Sequence, residues 1–105
     1  ACISLDPIRG IHNAVNRMTT DGKPVGGWIP AQKISLQDAL YAYTAGAAYG
    51  AFDEQEKGQL KKGLLADFIV LSQDLFKIKA EDIYKTKVEL TVVGGKKVHS
   101  TDIYK

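Results

Sequence analysis

An α+β fold is expected for this chain of 105 residues, because its helical and strand patterns are segregated rather than alternating. Three observations carry that expectation. Apolar residues recur at helical spacing in two segments of the first half, Ile8 to Met18 and Leu36 to Ala47. An uninterrupted apolar run, Phe68-Ile69-Val70-Leu71, follows in the second half. Val88, Leu90 and Val92 then alternate with Glu89, Thr91 and Val93 ahead of Gly94-Gly95, the pattern of a strand entering a hairpin.

The first element is the helix in "LDPIRGIHNAVNRM". Asp6 is a cap, and Pro7 suits the first helical position, where its missing N–H costs nothing. Ile8, Ile11, Val15 and Met18 form one apolar stripe, while Arg9, His12, Asn13, Asn16 and Arg17 lie on the other faces. "TTDGKPVGGWIPAQK" is rich in glycine and proline and reads as a long loop. Its only tryptophan, Trp28, either pins the loop to the body or walls a ligand mouth or subunit contact.

Ser35 and Asp38 form a capping-box-like pair at the start of a second helix, which is expected to run to Tyr49-Gly50. Leu36, Ala39, Leu40, Tyr43 and Ala47 share a face, and the alanines with Gly46 let another element approach closely. "FDEQEKG" can form one helical turn, stopped by Gly58. "GQLKKGLLADFIVLS" reads as a short strand, a turn and a longer strand, the last covered on both faces. "QDLFKIKAEDIYKTK" is a connection with a helical turn, and "VELTVVGGKKVH" is a hairpin.

Composition excludes several classes. A net charge of +2 is too weak to argue for nucleic acid. No apolar stretch approaches the ~20 residues of a membrane span. The one cysteine, Cys2, cannot close an internal disulfide, and a free thiol fits a reducing compartment, so a cytoplasmic location is expected. The chain begins with Ala1 and runs straight into a structured pattern, which suggests a start inside a larger protein.

Few residues are arranged for chemistry. His12 and His99 are the only histidines, and neither H-x-H, H-x-x-x-H nor C-x-x-C occurs, so no catalytic residue and no metal ligand is assigned to this chain. No serine sits in a nucleophile elbow, and the paired glycines lack phosphate-loop spacing. Asp67, directly before the apolar run, can accept bonds from backbone N–H groups of its turn. That structural role outweighs catalysis, because no second titratable residue stands near it in sequence.

The stretch "EKGQLKKGLLADFIVLSQDLF" resembles the segment that closes amidohydrolase-superfamily enzymes, through Gly58-Gln59-Leu60, Gly63, Ala66-Asp67 and Ile69-Val70-Leu71. "SLQDALYAYTAGAAYGAF" is similar to the last helix of their barrel, and Thr91 to Lys96 to the turn of their final strand. "LDPIRGIHNAVNR" and "GGWIPAQKISLQDALYAYT" narrow the resemblance to amidohydrolase family 3, the branch containing N-substituted formamide deformylases.

That resemblance implies a metal-bearing (β/α)₈ barrel paired with a small composite β-sandwich. Residues 1–50 would be the C-terminal helical part of the barrel, and 51–105 the C-terminal part of the sandwich. The parent would be a metal-dependent hydrolase of non-peptide C–N bonds, amide- or formamide-like, using zinc or a similar divalent ion to activate water. The family's H-x-H is absent here, and its final catalytic aspartate would fall upstream of Ala1. The chain alone is therefore expected to lack hydrolase activity and any cofactor of its own. Cys2, His12, Arg17 and Trp28 stand closest to a substrate mouth, and Arg17 can pin the neighbouring loop by bonding its carbonyls. Asp67 is architectural. The expected partners are the remainder of the parent polypeptide and the parent's small-molecule substrate, with no nucleic acid and no membrane. Marginal stability, or self-association into a homo-oligomer, is also expected. The rival reading is an independent, non-enzymatic interaction module that pairs through exposed strand edges.

Overall fold

The computed structural model describes residues 4–105. It is α+β, with three α-helices ahead of three strands: α1 (Pro7–Asn16), α2 (Leu36–Tyr43), α3 (Ala45–Gly50), β1 (Phe68–Leu71), β2 (Val88–Val93) and β3 (Lys96–Ser100). Short 3-10 helices occupy Pro30–Gln32, Ala80–Lys85 and Asp102–Tyr104. No helix among the described residues is long and apolar enough to cross a membrane. The chain forms two compact units. The first runs to Leu40 and takes in Gln73–Thr86, and the second comprises Tyr41–Ser72 and Lys87–Lys105.

The first unit is built on α1. Asp6 caps it, its carboxylate accepting the Ile8 N–H at 2.9 Å, and Pro7 follows at the first helical position. The helix ends where Arg17 turns left-handed (φ 55°) and returns its N–H to the Asn13 carbonyl. The buried arc is wider than the apolar stripe. Ile8 and Ile11 are buried, but so are His12 and Asn16, which the sequence placed on the other faces. Residues 8, 12 and 16 make an i, i+4 row that lies beside the stripe. The 3-10 helix Ala80–Lys85 packs on α1 and supplies Ile83, only 1% exposed. Ser35 and Asp38 close the α2 cap reciprocally: the Asp38 N–H donates to Ser35 Oγ at 3.0 Å, and Ser35 Oγ donates to the Asp38 carboxylate at 2.6 Å.

The long second helix divides in two. At Thr44 the backbone leaves the helical region (φ −121°, ψ −97°), and the Thr44 N–H bonds the Tyr41 carbonyl, one residue tighter than an α-helical bond. The Thr44 hydroxyl also reaches that carbonyl, at 3.5 Å, an example of a short polar side chain competing for the backbone. The break shifts the buried face, so Ala47 is exposed and Ala48 is buried. The small residues of α3 do admit a close neighbour. A Cβ placed on Gly58 would stand 2.6 Å from Ala48 Cβ, and Gly58 has φ +99°, so only glycine serves there.

The second unit carries an antiparallel sheet in the order β1-β2-β3. Phe68 pairs with Val92 and Val70 with Leu90, with a bulge at Val70/Leu71. Val93 pairs with Lys96 across Gly94-Gly95, whose φ values of 56° and 75° define the two-residue hairpin turn. The short strand expected near Gln59–Lys61 does not form. That segment is a turn region, closed by Leu64 N–H to Lys61 O and Leu65 N–H to Glu56 O, with left-handed glycines at 58 and 63. β1 is an edge strand with one face open, since Ile69 is 50% exposed, so the continuous apolar run is not covered on both sides.

Candidate functional site

Loop 18–27 leaves α1 and is tied back to it. Trp28 N–H donates to the Arg17 carbonyl at 2.8 Å, and Arg17 Nε donates to the Trp28 carbonyl at 2.9 Å. The Arg17 guanidinium carbon lies 5.0 Å from the Trp28 ring centroid, a cation–π contact, and Nη2 reaches Gln32 Oε1 at 3.3 Å. The ends of the loop therefore meet, as in an Ω-loop. Gly27 fits this closure because a Cβ there would stand 2.6 Å from the Asn16 carbonyl oxygen. Inside the loop, Thr19 N–H donates to the Lys23 carbonyl, and the single hydrogen of the Thr19 hydroxyl is shared between that carbonyl and the Asp21 carboxylate.

The clamped loop and the 3-10 helix Ala80–Lys85 enclose a cavity of about 360 Å³ in the first unit, with His12 in its lining. His12 is 2% exposed. Its ring meets Tyr84 edge-on, centroids 5.3 Å apart. Asn16 Nδ2 donates to the His12 carbonyl at 3.0 Å and to the Ala80 carbonyl at 2.8 Å, and stands 3.2 Å from His12 Nδ1. Asn16 thus joins α1 to a segment 64 residues away. Nearby, Gln73 Nε2 donates to the buried Thr86 hydroxyl at 2.8 Å. Asp82 binds Lys85 at 3.0 Å, and that hydrogen bond and charge hold the Lys85 ammonium above the ordinary lysine value of 10.5.

Of the substrate-proximal residues read from the sequence, Arg17 and Trp28 are in direct contact, and Trp28 remains 63% exposed. His12 lines the cavity. Cys2 lies outside the described residues. Asp67 stands at the mouth of β1, and its Oδ1 accepts the Gly94 N–H at 2.6 Å, so its partner is the hairpin turn 27 residues on rather than its own turn. Asn16 and Tyr84 were not singled out in the sequence, where the i, i+4 step from His12 to Asn16 was the available signal, and the adjacent acids Glu81 and Asp82 read as a solvated turn. Among the described residues, no group of three or more His, Cys, Asp or Glu side chains could hold a metal ion.

The architecture is that of an α+β segment in which a cavity bordered by loop 18–27 has a buried histidine in its lining. The chain belongs to the amidohydrolase family, whose profile matches residues 2–99. It is 38% identical over 95 residues to the Arabidopsis thaliana "Protein LONG AFTER FAR-RED 3", covering 90% of this chain and 16% of that protein. It is 30% identical over 95 residues to YtcJ of Bacillus subtilis (strain 168), provisionally termed an amidohydrolase, covering 90% of this chain and 18% of that protein. The chain thus spans about a sixth of the length of these curated relatives. No solved structure matches it.

Proposed function

We propose that this chain is the C-terminal portion of a metal-dependent hydrolase acting on non-peptide C–N bonds, of the formamide deformylase-like branch. The family membership of residues 2–99, combined with a span of only a sixth of the relatives' length, carries the reading. In it, residues 1–50 finish the helical layer of a (β/α)₈ barrel and residues 51–105 finish a composite β-sandwich. The zinc or similar divalent ion, and the residues that hold it, belong to the rest of the polypeptide. When bound there, the ion supplies an activated water at neutral pH.

This chain's own contribution is structural and positional. Arg17 and Trp28 hold loop 18–27 closed, and His12 and Asn16 anchor the helix from which that loop springs. The thin core of the second unit fits a segment that leans on further protein. Ala48 and Val92 are its buried apolar residues, whereas Phe52 is 90% and Leu60 76% exposed. Unpaired apolar surface of that kind normally meets a partner.

The open edge of β1 also favours the rival reading, an interaction module without catalysis. One experiment separates the two. The full-length polypeptide is expressed, loaded with zinc and assayed against N-substituted formamides and simple amides, alongside the same polypeptide lacking residues 1–105 and this chain alone. Hydrolysis by the full-length protein only is expected. A full-length protein that is inert towards every C–N substrate while this chain captures an extended peptide would replace the hydrolase reading with the module.

A further inference from the structure

Arg17 has more hydrogens than the loop uses. Its side chain leaves the left-handed residue that ends α1 and is fixed by Nε to the Trp28 carbonyl, by Nη2 to Gln32 Oε1 and by the Trp28 ring. A guanidinium carries five N–H donors. Two are committed here, and the others have no partner among the described residues. The group is therefore held in place before any ligand arrives, with donors to spare of the kind that take a carboxylate.

The surroundings set the sign and the size of that ligand. Arg17 and Lys23 line a cleft of about 240 Å³ together with Met18, Pro24 and Trp28, and its lining contains no acid. Lys33 stands beside them, since a Cβ on Gly27 would meet Lys33 Cε at 2.8 Å and Arg17 Cβ at 3.2 Å. Among the described residues, no carboxylate lies within ion-pair distance of Arg17, Lys23 or Lys33, whereas Lys57, Lys77, Lys85 and Lys105 each have one. The nearest acid in sequence, Asp21, takes the Thr19 hydroxyl and borders the other cavity. Cations gathered without an acid repel one another, and an anion relieves that repulsion. Met18, Pro24 and the 63% exposed Trp28 ring stay wet unless the anion brings a carbon body. The volume is below the roughly 300–1,000 Å³ of drug-sized sites, so that body is about one ring in size.

We propose that this cleft binds a small aromatic carboxylate, benzoate in the simplest case. The carboxylate accepts from the spare Arg17 N–H donors and faces the Lys23 ammonium, and the ring lies against Trp28 and Pro24. The site uses only residues of the first unit and stands apart from the hydrolase reading.

Trp28 is the only tryptophan, so its fluorescence reports this cleft directly. The chain is titrated with benzoate, beside benzamide, acetate and benzylammonium, at low and high salt. Benzoate is expected to give a saturable change with a Kd of about 1 mM, and NMR shifts at the Arg17 Nε–H and the Trp28 indole N–H. Benzamide, without the charge, and acetate, without the ring, should each bind about tenfold more weakly, and benzylammonium should not bind. Salt should weaken benzoate. Lys23 is exposed and gives the loop only its backbone carbonyl, so Lys23→Gln should keep the fold and weaken benzoate about two- to fivefold. Benzamide binding as tightly as benzoate would overturn the proposal. So would an unchanged affinity in Lys23→Gln, or Trp28 quenching that rises linearly without saturation, as for free indole.

Discussion

Asn16 is the most informative residue to perturb, because one amide nitrogen joins α1 to the 3-10 helix across 64 residues. Asn16→Ala removes the bond to the Ala80 carbonyl, for which about 1 kcal/mol net is typical. It also strands that carbonyl in a part-buried place, where an unpaired group costs about 1–3 kcal/mol. The bond to the His12 carbonyl matters less, since it is a local i−4 contact to an acceptor already engaged in the helix. Alanine recovers about 0.5 kcal/mol through better helix propensity. The net loss should be about 2 kcal/mol, a large share of the roughly 5–15 kcal/mol that holds a chain of this size. Urea denaturation followed by far-UV circular dichroism measures it as a lowered midpoint at unchanged slope. Asn16→Asp sharpens the test, because a carboxylate would face two carbonyls and should cost more than alanine. A loss below about 0.5 kcal/mol for alanine, the level of an ordinary surface change, would refute the reasoning. So would an aspartate variant as stable as the parent.

Two further outcomes are expected. Asp67→Ala should cost about 1 kcal/mol, since its 2.6 Å bond to Gly94 N–H is strong but solvent-exposed. Hydrogen exchange at Gly94 should accelerate, while Asp67→Asn, which keeps an acceptor, should retain much of the protection. Unchanged exchange in the alanine variant would show that the bond does not hold the turn. Lys57 and Lys85 are both raised above the ordinary lysine value of 10.5, chiefly by hydrogen bonds to Asp53 and Asp82. A folded value above the unfolded one means these pairs stabilise fully below 10.5, and that contribution disappears as pH rises through the folded value. The Lys57→Met, Lys85→Met double variant should therefore lose less stability than the parent on the alkaline side, read from thermal midpoints across that range. An identical alkaline decline would exclude the two pairs as its source.

The elements with local causes were legible in the chain. Asp6-Pro7 starts α1, Ser35 with Asp38 starts α2, and Gly94-Gly95 turns the hairpin, each because a short stretch satisfies its own backbone groups. The helix break at Thr44 was less legible, because the alanines and Gly46 around it leave the competition between hydroxyl and helix nearly balanced. The expected strand at Gln59–Lys61 misled because a strand needs a partner, and no local pattern reports whether one is present.

The candidate site divides in the same way. That His12, Arg17 and Trp28 deserve notice, and that metal-ligand spacing is missing, could be read from residue types and spacing alone. The burial of His12, the bond from Asn16 to Ala80, the placing of Glu81 and Tyr84 beside His12, and the reach of Asp67 to Gly94 belong to tertiary structure. Local order is written by interactions between residues a few positions apart, which the sequence lists directly. A hydrogen bond between residues 64 positions apart depends on how the chain returns, and that is decided by packing rather than by either neighbourhood.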